Sequence, residues 1–102
     1  MCRVAVLNRA DFEWKVHKPA YIAAGGTEEK SDALRSKHIA SLFTQKEIAL
    51  LELTEQSTLN IEVSEVVIER VKSLFGEQQT VEAVATVAAY NMVSRFLVAL
   101  EI

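Results

Sequence analysis

Residues 8–26, NRADFEWKVHKPAYIAAGG, decide how the rest of this chain is read. Asn8 is a suitable helix N-cap, and Asp11 and Glu13 favour the positive end of a helix. Pro19 falls inside the segment and is expected to kink it, because it lacks a backbone donor and crowds the carbonyl of Lys15. The helix is expected to continue through Ala20 and Ala24 to Gly25, where the Gly25-Gly26 pair supplies a left-handed stop. Glu13 and His17 then lie one turn apart on the same face.

Upstream, residues 1–7 are apolar except for Arg3 and too few to show a period, so a strand and a helix tail both remain open. Downstream, Thr27 is placed to cap a short polar helix, TEEKSDALRSK, with Ala33 and Leu34 facing inward. Thr44 and Glu47 form a T-x-x-E capping box for QKEIALLELTEQSTL, whose inward residues should be Ile48, Leu51 and Leu59, with Leu50 and Leu53 beside them. After a break at residues 60–63, Ser64 caps SEVVIERVKSLFG, which presents Val67, Val71, Leu74 and Phe75 on one face and stops at Gly76.

The last helix, from about Glu77 to about Leu100, carries Val81, Val84, Ala85, Ala88, Met92, Phe96 and Leu100 on one side. Val87, Val93, Leu97 and Val98 spread apolar surface to its other sides, so more than one face needs a cover. Too few other helices exist to provide it, and a second subunit is expected to contribute. The pattern predicts an all-α array in one domain, residues 1–102.

Composition agrees. Half of the 102 residues are apolar, with three Gly and one Pro, which supplies a core but too few breakers for a many-turned β-sandwich. Eleven basic against fourteen acidic residues, with no basic run, argue against nucleic acid as a partner. The single cysteine, Cys2, excludes an internal disulfide, a CxxC redox pair and a cysteine-based zinc site, and its bland reading is a small buried residue. The N-terminal apolar run is too short for a secretory signal. The uncharged run from Ala83 to Ser94 falls short of the roughly 18 residues a spanning helix needs. A soluble, cytoplasmic protein without membrane contact is expected.

Glu13 and His17 carry the sharpest chemistry. A carboxylate one turn before an imidazole orients the ring, sets its tautomer and stabilises the imidazolium, which makes a general acid/base without metal or nucleophile. On spacing alone the commoner case is an exposed pair giving a few tenths of a kcal/mol to the helix. A metal site using Glu13, His17 and either Asp11 or His38 ranks below the acid/base reading, since no HExxH pattern occurs. Phe12 and Trp14 flank the pair as pocket wall or plain core. Arg95, a cation in an apolar helix, suits a substrate carboxylate or a subunit-boundary ion pair. Tyr90 and Asn91 either line the pocket or tie helices together.

The segments RVAVLNRADFEWKVHKPAYIAAGGTEEKSDAL and VEAVATVAAYNMVSRFLVAL resemble the core and final helix of the carboxymuconolactone decarboxylase-like family, which includes the AhpD-type alkylhydroperoxidases. SLFTQKEIALLELTEQST and VSEVVIERVKSLFGEQQ follow the order of that family's middle helices, so the resemblance spans nearly the whole chain. Glu-Trp-x-x-His and Ala-Tyr-Asn-Met-Val are its most specific parts. The peroxidase branch carries a CxxC pair where this chain has Ala10 and Glu13, so peroxidase chemistry through that motif is excluded. The decarboxylase branch places a Glu four residues before the His, as Glu13 and His17 do.

The resemblance implies a cofactor-free decarboxylation of a lactone acid, with catalytic His17 and Glu13 and a trimer or hexamer; family domains have further helices before the position of Met1, which this chain is expected to lack. The expectation is a lyase acting on a small carboxylated, lactone or enolisable ring compound, with Arg95 as carboxylate anchor and Trp14 and Tyr90 shaping the pocket. No cofactor or metal is expected. The alternative is a non-catalytic helical oligomer that has lost its pocket. A thiol peroxidase would have to work through Cys2.

Overall fold

A computed structural model describes residues 1–35 and 42–102 of the chain, and the described residues are all-α, without a strand. Five helices follow in order: α1 (Cys2–Leu7), α2 (Asp11–Ala23), α3 (Glu28–Leu34), α4 (Gln45–Asn60) and α5 (Glu65–Ala99). Residues 1–7 thus resolve as a helix, whose C-cap is Asn8. Asn8 was expected to cap α2. The N-cap there is instead Ala10, with no side-chain bond, and the Asn8 amide is spent elsewhere.

Pro19 lies within α2, which continues to Ala23 before Gly25 turns left-handed at φ 108°. As the ninth of the thirteen residues of α2, Pro19 removes one backbone donor from the ladder, and the helix runs on past it. Thr27 accepts from the Lys30 amide and opens α3, where Ala33 and Leu34 are buried as expected. The end of that expected helix, Ser36 and Lys37, lies outside the described residues, as does His38. The capping box of α4 is complete, with the Thr44 hydroxyl accepting from Glu47 N and the Glu47 carboxylate from Thr44 N.

The inward face of α4 matches expectation at Leu53, which is fully buried, and at Leu51, which packs against the α1–α3 cluster, but differs elsewhere. Ala49, Leu53, Thr54 and Thr58 are buried, whereas Leu59 is 62% exposed. The two threonines are admitted because each finds a partner: Thr54 donates to the Leu50 carbonyl at 2.7 Å, and Thr58 meets Asn91 from α5. At Gly76 the backbone of α5 leaves helical geometry (φ 82°, ψ 169°), so residues 65–75 and 77–99 are two helical segments joined at a break.

Two apolar clusters hold these helices together. Ala49 and Leu53 of α4 pack with Val67 and Val71 of α5, while Cys2, Ala5, Ala10, Trp14 and Leu34 join α1, α2 and α3. The second segment of α5 is inverted relative to an ordinary amphipathic helix. Its buried residues are Thr80, Val87, Asn91 and Ser94, while Val81, Met92 and Phe96 are 68%, 69% and 63% exposed. Small polar groups face the bundle, and the expected apolar stripe faces outward.

Candidate functional site

The α2 sequence positions the pair. Glu13 and His17 are four residues apart in an unbroken part of the helix, and the His17 Nε2 to Glu13 Oε2 distance is 2.8 Å. Their side chains are 9% and 18% exposed respectively, so this is no solvated surface pair. A carboxylate this close fixes the ring's orientation and leaves Nδ1 as the nitrogen available to a substrate. From α5 the Tyr90 ring meets the imidazole edge-to-face, with 5.0 Å between centroids and 86° between planes.

Tyr90 is held in turn by its neighbour. Asn91 Nδ2 donates to Thr58 Oγ1 (2.9 Å) and to the Val87 carbonyl (3.0 Å), while Asn91 Oδ1 accepts from Asn8 Nδ2 (2.7 Å). These bonds tie α5 to α4 and to the turn that leads into α2. Asn8 therefore serves the site by locking the helix behind His17 rather than by capping α2.

His17 lines a cavity of about 340 Å³, whose walls also include Ala20, Leu34, Phe43, Leu50 and Leu51. That volume falls within the roughly 300–1,000 Å³ typical of small-molecule sites. Four further polar side chains reach the wall: Arg3, Tyr21, Glu47 and Thr54. Arg3, with its side chain 8% exposed, donates to the Leu34 carbonyl at 2.6 Å and pairs with Glu55 at 2.7 Å. Sequence reasoning passed over it, although a lone cation in an apolar run has to find polar partners inside the fold.

Glu47 experiences opposing influences. Burial pushes its carboxyl up, but the Thr44 hydrogen bonds and the Lys30 pair outweigh that and hold it below the ordinary value. Tyr21 is raised, by burial first and by the charge of Glu47 second. Cys2 also lines the cavity, and burial pushes its thiol up, which keeps it protonated and poorly nucleophilic at neutral pH. One corner of the wall depends on Gly26, where an added Cβ would collide with the Tyr21 ring.

The structure brings together Glu13, His17 and Tyr90 of the expected set and separates the other two, but only His17 lines the cavity: Tyr90, expected to shape it, packs on the imidazole without reaching the wall. Trp14 is buried and lines a different recess with Arg9, Asp11 and Arg35, so it does not wall the cavity of its helix neighbour His17. Arg95 donates to the Thr58 carbonyl at 3.1 Å and is not part of the cavity wall, so the cation at the cavity is Arg3. No group of three or more His, Cys, Asp or Glu among the described residues is arranged to hold a metal ion. Compared with protein-family models, with curated proteins and with solved structures, the chain gives no match.

Proposed function

We propose that this chain is a carboxymuconolactone decarboxylase-like protein with an AhpD-like fold. In this reading it is a cofactor-independent acid/base lyase for a small carboxylated, lactone or enolisable ring compound, working as a cytoplasmic homo-oligomer. The observation that carries this reading is His17 at the wall of an apolar cavity, hydrogen-bonded from behind to the largely buried Glu13. When the substrate's carbon–carboxyl bond breaks, its electron pair stays on carbon as carbon dioxide leaves. The imidazolium of His17 then gives that carbon a proton, and Glu13 stabilises the charged ring before transfer and fixes its tautomer after it. Apolar walls favour a step that disperses charge. Arg3, a cation on the cavity wall, faces the departing carboxylate in this reading, though its pairing with Glu55 already offsets part of its charge.

A thermal-shift screen with aromatic acids and lactones, followed by turnover assays on the hits, tests the reading. Glu13→Gln and His17→Ala, as separate variants, are expected to lower turnover by about 10²–10⁴-fold, the usual worth of a general acid/base, with the helical circular dichroism unchanged. Normal turnover in both variants makes the pair structural.

A second reading, a non-catalytic helical oligomer, draws on the outward stripe of α5. By length and composition alone α5 also passes for a membrane-crossing helix, its most apolar window having a mean hydropathy of 1.2. In the proposed homo-oligomer, further copies of the chain cover the stripe. A defined trimer or hexamer without saturable small-molecule binding would favour the non-catalytic oligomer. Monomers that partition into lipid vesicles would count against both.

A further inference from the structure

A second recess, of about 270 Å³, is lined by Ala5, Val6, Arg9, Asp11, Trp14 and Arg35, and shares no lining residue with the cavity beside His17. Its wall combines two guanidiniums, one carboxylate and an indole. The Arg35 guanidinium lies over the Trp14 ring, 5.2 Å from its centroid. Neither Arg9 nor Arg35 is in an ion pair among the described residues, whereas Arg3 and Arg70 both are. Arg9 also holds a left-handed backbone (φ 55°), fixed by bonds from Arg9 N to the Val6 carbonyl and from Ala10 N to the Ala5 carbonyl. A residue with a Cβ adopts that conformation only when its surroundings impose it.

From this we propose a second binding site, for a small hydroxylated acid held by its carboxylate or phosphate head between Arg9 and Arg35. Guanidinium forks match the paired oxygens of either head. Asp11 repels a bare polyanion but accepts a hydrogen bond from a hydroxyl next to the head. Ala5 and Val6 give the carbon skeleton an apolar floor. The volume lies just under the roughly 300–1,000 Å³ of sites that take drug-sized ligands, which limits the guest to a few carbon atoms beyond its head. This proposal is independent of the lyase reading, since it uses none of the residues assigned to that chemistry.

Trp14 is the only tryptophan in the chain, so its fluorescence reports this recess directly. The full chain is titrated with glycerol 3-phosphate and, separately, with glycerate, which share a skeleton and differ in the head. Glycerol and sodium chloride at matched ionic strength serve as controls. A saturable change with at least one acid is expected, and the acid that produces it identifies the preferred head. Arg9→Gln and Arg35→Gln should each weaken binding at least tenfold, measured also by calorimetry because Arg35 itself touches the indole. A linear response, a response that sodium chloride reproduces, or undiminished binding in either variant overturns the proposal.

Discussion

At the scale of single residues, burial is what separates the Glu13–His17 pair from the many i, i+4 pairs that decorate helices. Spacing was legible in the sequence. The removal of most of both side chains from water was not, because it depends on neighbours distant in sequence, the Tyr90 ring of α5 among them. Arg3 and Arg95 teach the same lesson in opposite directions. Arg95 drew notice as a cation in an apolar helix, yet it satisfies a carbonyl of α4; Arg3 drew little, yet it stands at the cavity. Periodicity tells which side of a helix a residue is on, and not which neighbour lies opposite.

Asn91 offers a test at this scale. Asn91→Ala leaves Asn8 and Thr58 without their shared partner and is expected to cost about 1–3 kcal/mol, read as a lower urea midpoint at unchanged slope. Ionisation sets limits on both sides of neutrality. The Glu47 carboxyl sits below its ordinary value of 4.5 in the folded state, so its contribution to stability is complete above that pH and is lost as pH falls through the folded value. The Cys2 thiol sits above its ordinary value of 9.0, so the unfolded chain loses its proton first and stability declines as pH rises past that point. Chemical denaturation followed across pH should therefore show a plateau that falls away at each end, with Glu47→Gln softening the acid limb and Cys2→Ser the alkaline one.

At the scale of elements, punctuation was the most readable part of the sequence. The caps at Thr27, Thr44 and Ser64 and the glycine stops at Gly25 and Gly76 are local chemistry, fixed by three or four neighbouring residues, and they occur where read. On α4 Leu53 was read correctly, but Leu59 was placed inward and the buried Thr54 and Thr58 were missed, because leucines were ranked above threonines. A threonine that bonds its own helix or a neighbour's asparagine is as acceptable inside as a small aliphatic residue. Gly76 gives the sharpest element-level prediction. Its backbone occupies a region essentially reserved for glycine, and an added Cβ there would touch nothing. The whole penalty of Gly76→Ala is thus conformational, about 1–3 kcal/mol, measured by thermal or urea unfolding. Thr44→Ala removes one half of a capping box and should cost about 1 kcal/mol by the same measurement.

For the whole molecule, the unusual property is that α5 turns its bulkiest side chains away from the bundle. Composition and pattern made the all-α architecture plain, since helical periods and caps recur along the chain and the alternating stretch LNIEVS, residues 59–64, falls at the break between α4 and α5. The direction in which α5 would face was hidden, because Thr80, Asn91 and Ser94 look like surface residues until their partners are known. If copies of the chain cover that stripe, Met92→Lys combined with Phe96→Glu should convert an oligomer to a monomer in light scattering, with secondary structure retained. An unchanged mass would place the interface elsewhere. Gly26 has a consequence for the cavity as a whole. The phenol ring beside it rests where a methyl group would otherwise stand, so every other amino acid at that position must shove the ring aside and reshape the chamber it borders. Substitution at this one corner is therefore a simple handle for retuning which guests the protein admits.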